Sequence, residues 1–398
     1  MKTELRNLIT AHSPWLARPL LQKPPLLEEL IQSPFFEKEK PLSLFLEEAN
    51  VLSGRDLAKE LFNYQQKELL RIGLKALGQN FSLKISEEEI GRELAHLAQA
   101  VVEKSAAVCE EPFKAGLTCI GLGKLGGEDL NFSSDIDLLF LYESDEPRSP
   151  TLSAHEFYVK GVEKWTHFLR ENRFYRIDLD LRPEGKKGTL TNSLLSLEYY
   201  YETWGAEWER LALIKSRCVA GQKNLTTNFL KRVDPFVWRK NFDAVDIERI
   251  KQLKEKASEN LKTRFSQAFH VKLGQGGIRE IEFFVSIFQL LWGGKHPALK
   301  ETHTLTALRK LSDLKIIAQE TAHQLENAYL FLRKIENRLQ MRESQQTHQI
   351  PSSPEGQKGL ARLMGYHQET GEAAQKAFLE DLEKVRALVQ KHYGELFA

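Results

Sequence analysis

Residues 121–142 read GLGKLGGEDLNFSSDIDLLFLY, and the order of features in this stretch decides the fold class. A glycine-rich turn, Gly121 to Gly127, is followed by polar residues and then by an apolar run that opens at Asp135. The run 135–142 has the length and aliphatic content of a buried strand, and Leu117–Gly121 (LTCIG) reads as a shorter strand leading into the glycines. Side chains two apart on a strand share a face. Asp135 and Asp137 therefore point the same way, with Ile136, Leu138 and Phe140 on the other side. Taken alone, Gly121, Gly123 and Gly126 fit a dinucleotide fingerprint, but that fingerprint needs a helix directly after the glycines to receive a pyrophosphate. A strand follows instead. Two carboxylates beside exposed backbone amides suit a metal-bound nucleotide, the carboxylates holding the metal and the amides the phosphates. The competing reading is a structural turn followed by a solvated Asp-x-Asp face.

Working outward, residues 174–182 (FYRIDLDLR) alternate apolar and charged side chains with period two, which predicts a third strand with Asp178, Asp180 and Arg182 on one face. Set beside the first acidic strand, Asp178 or Asp180 completes a cluster of three carboxylates. Like-charge repulsion disfavours such a cluster unless cations neutralise it, and two divalent ions clamping the attacking and leaving oxygens are a standard solution in phosphoryl transfer. Helices are predicted from Ser86, which has capping-box spacing to Glu89, to about Glu110, and over 155–169. Others follow Gly276-Gly277, with Ile278, Ile281, Val285, Phe288 and Leu291 on one face, and span the stripe from Ala318 to Leu339 and residues 372–393. The first 80 residues are leucine-rich and interrupted by Pro14, Pro19, Pro24, Pro25, Pro34 and Pro41, which predicts short helices broken at prolines. The expected map is an N-terminal helical region (1–85), a catalytic α+β domain (86–240) and a C-terminal helical bundle (241–398).

A chain of 398 residues is long enough for two or three cores. Lys+Arg number 56 and Asp+Glu 55, so no strong positive field is available to grip nucleic acid along its phosphates. Cys109, Cys119 and Cys218 are odd in number and form no C-x-x-C pair, which argues against a disulfide framework or a thiolate zinc site. The opening MKTELRNLIT lacks the apolar run of a signal peptide, and the most apolar stretch, 283–292, falls far short of the ~20 residues that span a bilayer. A cytoplasmic protein with no membrane and no nucleic-acid partner is expected.

The glycine turn, Asp-x-Asp strand and later acidic strand resemble the nucleotidyltransferase superfamily related to DNA polymerase β. That resemblance implies an α+β fold with a polymerase-β-like core, a mixed sheet and flanking helical regions. Five segments in order extend it: GLGKLGGEDLNFSSDIDLLFLYE, YRIDLDLRPEGKKGTL, WERLALIKSRCVAG, KLGQGGIREIEFFV and AYLFLRKIENRLQMRESQQTHQIP. Together they resemble the glutamine synthetase adenylyltransferase/adenylyl-removing family over nearly the whole chain. Typical members resemble two fused copies of such a unit. One attaches AMP from ATP to a tyrosine of glutamine synthetase, and the other removes it by phosphorolysis, orthophosphate attacking to release ADP.

Residues 277–283 (GIREIEF) and 332–340 (LRKIENRLQ) resemble the amino-terminal copy, which implies the adenylyl-removing reaction. The resemblance implies Mg2+ as cofactor, with Asp135, Asp137 and Asp178 as its carboxylates and the catalytic residues. Gly126, Gly127, Ser133 and Ser134 would line the phosphates, and Arg182 is placed to approach an adenylyl phosphate. Asp180 stands where the family more commonly has arginine, so it competes with Asp178 as ligand. Lys124, Arg210 and Lys215 are further candidates to meet substrate, while Arg279 and Glu282 are spaced to pair with each other on a helix. The implied partners are glutamine synthetase as protein substrate, orthophosphate/ADP or ATP, and the PII signalling protein as regulator. The alternatives are ATP-dependent adenylylation by the same carboxylates and a non-catalytic nucleotide-sensing module.

Overall fold

The computed structural model describes residues 2–54, 56–147, 151–240, 248, 252, 269–343, 347–367 and 370–397. Five strands form one mixed sheet: β1 (Thr118–Leu122), β2 (Asp135–Tyr142), β3 (Arg176–Asp178), β4 (Thr191–Ser193) and β5 (Arg217–Ala220). β1 lies antiparallel to both β2 and β5, while β3 and then β4 run parallel to β2 along its other edge. The fold is α+β, with a nucleotidyltransferase-type sheet set among helices. The register places Asp137 opposite Leu122 on one neighbour and opposite Asp178 on the other.

The third strand is much shorter than the alternation of residues 174–182 predicts. β3 ends at Asp178 because that carboxylate accepts the N–H of Asp180 at 2.7 Å, an Asx turn that takes the chain out of the sheet. Asp180 consequently lies in the turn, with its side chain 44% exposed and 3.4 Å from Lys186. The edge of β2 is taken up again only at β4. At the exit of β1 the glycine stretch winds through one helical turn, Gly123–Gly126, where a plain loop is expected.

The helices follow the apolar spacing, with ends set by local chemistry. Ser86 and Glu89 form a reciprocal capping box that opens Glu87–Ser105. This helix stops earlier than expected: the chain tightens into a 3-10 turn at Ala106–Cys109, then restarts as Glu110–Lys114, which puts Pro112 in a first turn where its missing N–H does no harm. Ser153 and Glu156 form a second box at the start of Ala154–Glu171. Near the N-terminus, Lys2–His12, Pro14–Gln22, Leu26–Gln32 and Leu42–Asn50 are short, as the prolines predict, but Pro19 lies inside its helix rather than ending it. A longer helix, Leu57–Gly78, follows. The helical pattern expected from Asp243 onward lies outside the described residues up to 268, apart from two positions. Beyond it come Ile278–Trp292, Thr304–Asp313, Gln319–Glu343, Pro354–Met364 and Gly371–Gly394. Among the described residues no helix is long and apolar enough to cross a membrane.

Both faces of the sheet are buried past the aspartates. Ile136, Leu138 and Phe140 join a core that runs through the N-terminal helices and Glu87–Ser105, with Trp165 fully buried within it. Leu139 and Leu141, on the face that carries Asp135 and Asp137, pack instead with Leu197, Tyr201, Leu213 and Phe229. The acidic face is thus solvent-accessible only at one end of β2, which confines the polar chemistry to that end. The five C-terminal helices enclose a further core.

Candidate active site

β2 and β3 bring together Asp135, Asp137 and Asp178, the three carboxylates singled out in the sequence. Asp137 is partly buried. Burial, reinforced by the charge of Asp178 and, after the opposing pull of Lys272, by that of Asp135, pushes its carboxyl up to about 6. Asp135 is held by the guanidinium of Arg176, and Asp178 by the Asp180 amide. Among the described residues no group of three or more Asp, Glu, His or Cys side chains is placed to hold a metal ion. The donor set nevertheless suits Mg2+, which takes one or two carboxylates plus substrate oxygens and water rather than an all-protein cage.

The glycine turn is built around Asp137. Gly123 has φ +53°, and a Cβ there would sit 2.3 Å from the Asp137 Oδ2, so only glycine lets the backbone pass this close. Gly126 and Gly127, the glycines expected to line phosphates, are placed by packing. A Cβ on Gly126 would lie 1.7 Å from the Lys215 carbonyl oxygen, and one on Gly127 would lie 3.1 Å from that of Thr302. Ser133 donates its N–H to Gln340 Oε1 at 2.8 Å, and the Ser134 hydroxyl donates to the carbonyl of Asp135 at 2.9 Å. Arg182 is 8% exposed, and its guanidinium donates to the carbonyls of Leu179, Lys186 and Gly188. Those bonds staple the turn after β3 and commit the donors expected to meet an adenylyl phosphate.

A cavity of about 490 Å³ opens at Asp137 and Gly123, with Lys215, Lys272, Arg279 and Trp208 around it. Lys215 reaches Glu282 at 3.4 Å, whereas Lys272 and Arg279 have no ion-pair partner among the described residues. The helical pair predicted between Arg279 and Glu282 is therefore not made; Glu282 accepts instead from Tyr329 at 3.3 Å. Arg210 is fully buried, bound to Glu207 and the Val237 carbonyl, which makes it a packing residue. Sequence reasoning gave no role to Lys272, Trp208 or Gly123. The only signal for the first two was their place within segments already recognised as motifs, since periodicity says nothing of which cation turns toward which acid.

The helix Gln319–Glu343 grips this site from the bundle side. Arg333 binds Asp129 at 2.8 Å and Glu336 at 2.6 Å, and Glu336 also meets Lys124 at 2.9 Å and His348 at 2.8 Å. Burial pulls the Lys124 ammonium down to about 8 despite the opposing charge of Glu336. Arg333, Glu336 and Gln340 hold residues 124–133, so this helix sets where the glycine turn and the start of β2 sit.

A mixed sheet carrying carboxylates on adjoining parallel strands, with a glycine turn packed against one of them and a cationic cavity alongside, is the layout of a nucleotidyltransferase fold. The sequence model described as "Glutamate-ammonia ligase adenylyltransferase" matches residues 3–232, and the chain belongs to that family. Residues 247–397 match a second model, described as "GlnD PII-uridylyltransferase". Relatives named "Bifunctional glutamine synthetase adenylyltransferase/adenylyl-removing enzyme" include a Nitrosococcus oceani protein, 35% identical over 89% of this chain and 38% of its own length. Another, from Thioalkalivibrio sulfidiphilus, is 34% identical over 98% of this chain and 42% of its own length. The chain thus spans about two fifths of the length of these curated relatives.

Proposed function

We propose that this chain removes AMP from adenylyl-tyrosine of glutamine synthetase by phosphorolysis, orthophosphate attacking the adenylyl phosphorus so that ADP forms and the tyrosine oxygen leaves. The observation that carries this reading is the cavity at Asp137, where Lys215, Lys272 and Arg279 gather beside that carboxylate. In this reading Asp135, Asp137 and Asp178 hold Mg2+, which when bound neutralises phosphoryl oxygens and the leaving tyrosine oxygen. Lys272 and Arg279, free of carboxylate partners among the described residues, bind the orthophosphate and the adenylyl phosphate, and Trp208 offers its ring to the base. The turn at Gly123 keeps Asp137 in place while the phosphorus passes from one oxygen to the other. The reaction is isoelectronic at phosphorus: one P–O bond forms to orthophosphate and one breaks to the tyrosine, whose oxygen takes up a proton. Glutamine synthetase as substrate, a cytoplasmic setting and PII as regulator belong to the same proposal.

The test incubates the purified chain with adenylylated glutamine synthetase, Mg2+ and orthophosphate, with ATP plus unmodified synthetase run in parallel. Phosphate-dependent ADP release that Asp135→Asn abolishes is the expected result. AMP incorporation from ATP would reverse the direction while keeping the site, and full activity in Asp135→Asn would remove the carboxylates from the chemistry.

A further inference from the structure

The acid cluster adjoins a second cavity, at its Asp135 end. This one measures about 610 Å³ and is lined by Arg18, Arg170, Arg173 and Arg176, with Ser133 and Ser134 at the β2 side; no carboxylate lines it. Three of the arginines come from a single connection. Arg170 ends the helix Ala154–Glu171, Arg173 follows with φ +55°, and Arg176 opens β3. The fourth arrives from the N-terminal helix Pro14–Gln22, more than 150 residues away in sequence. Four guanidiniums from two remote segments converge on one concavity.

Structural duties account for only half of them. Arg176 is occupied by Asp135. Arg170 sits at a helix C-terminus, where a cation is favoured, and reaches the Ile177 carbonyl at 3.4 Å. Arg18 and Arg173 have neither an ion pair nor a side-chain hydrogen bond among the described residues. Arg173 is further held in a left-handed conformation that a side chain other than glycine, asparagine or aspartate seldom adopts. Like charges gathered in one cavity repel each other until an anion enters, and a guanidinium presents paired donors whose spacing matches phosphate oxygens. The walls are aromatic. Trp15 is fixed by its indole N–H, which donates to the Met341 carbonyl at 2.7 Å, and Phe174 and Tyr175 stand across the cavity lining.

We infer that this arginine cavity binds a phosphate-bearing small anion, at a site separate from the pocket of Lys215, Lys272 and Arg279. The volume is that of a small-molecule site, and the absence of a lining carboxylate distinguishes it from the basic face of Lys160, Lys164 and His167 further back along the same helix, which includes Glu163. The site rests on charge and shape alone and stands whether or not the adenylyl-removing reading does.

The test is calorimetric titration of the whole chain, without Mg2+ and at low ionic strength, with inorganic phosphate and with ADP separately. The double variant Arg18→Gln/Arg173→Gln removes the two guanidiniums that hold nothing else, and a matching melting curve verifies its fold. We expect binding at least tenfold weaker in that variant, a smaller loss in Arg18→Lys/Arg173→Lys, and no change in Lys160→Gln/Lys164→Gln, on the neighbouring basic face of the same helix. Arginine-dependent binding of phosphate alone identifies free orthophosphate as the ligand; tighter arginine-dependent binding of ADP identifies a nucleotide phosphate. Equal affinity in the double variant, an equal loss in Lys160→Gln/Lys164→Gln, or no binding of either probe by the native chain overturns the inference. Arginine-dependent binding without ADP release in the enzymatic assay overturns the proposed reaction and leaves the site in place.

Discussion

Asp137 is the residue on which site and stability conflict. Its carboxyl is raised from an ordinary 3.8 to about 6 by burial and by Asp178. Between those two values the folded chain keeps a proton that the unfolded chain has lost, so stability falls as pH rises through this window. Above it the folded chain carries the full cost of a buried, crowded charge. Asp137→Asn should therefore stabilise the chain at pH 8, by about 2 kcal/mol after allowance for partial exposure, and give no gain near pH 4. It should also abolish turnover. Urea unfolding at the two pH values measures the difference; a variant no more stable at pH 8 would show that the charge is already compensated. Asp135 and Asp137 were legible in the sequence because strand periodicity alone puts them on one face. Asp180 and Arg182 were not, because their directions depend on the Asx turn at Asp178, and turn chemistry ends the alternation that pattern reading extends through it.

At the scale of an element, the helix Gln319–Glu343 shows why apolar periodicity reads only half of an interface. The predicted stripe is buried from Ala322 through Leu325, Leu332 and Ile335 to Leu339, but its expected first member, Ala318, is exposed just before the helix begins. Arg333, Glu336, Asn337, Arg338 and Gln340 are at most 2% exposed as well, and no hydrophobic pattern announces that. They are buried because partners elsewhere in the chain meet them: Asp129 and Lys124 near the glycine turn, Glu87 at the start of another helix, and the carbonyl of Ala76. Such charges tolerate burial only as a set. Glu336 is the shared acid of Lys124, Arg333 and His348, so Glu336→Gln leaves buried cations short of a partner. The expected cost is about 3 kcal/mol in unfolding free energy, with reduced turnover under conditions where the variant is still folded. A variant with native stability would mean that Asp129 and Asn131 suffice to hold those cations.

Taken as a whole, the molecule joins its C-terminal helices to its sheet-bearing part through groups that neither part satisfies alone. Trp15 donates to the Met341 carbonyl, Arg338 to that of Ala76 at 2.6 Å, and Asn337 to Glu87 at 2.8 Å. Met341 and Leu363 from the bundle lie in the same buried cluster as Leu5, Leu70 and Leu94. Chain length suggested several cores, and hydrophobic periodicity marked an α/β middle between helical flanks. Contacts between residue 15 and residue 341 leave no trace in composition or periodicity, so the dependence of one region on another was hidden. If the bundle unfolded first, Asp129, Glu87 and Lys124 would lose their partners while still enclosed, a penalty of several kcal/mol that a separate transition would have to absorb. The described residues should therefore unfold in one cooperative step. Urea denaturation followed by tryptophan fluorescence, with Trp165 in the α/β core and Trp292 on a bundle helix, should give a midpoint coincident with that from far-UV circular dichroism. Two resolved midpoints, with the fluorescence of Trp165→Phe and Trp292→Phe variants following different ones, would show that the bundle releases the glycine turn before the sheet opens.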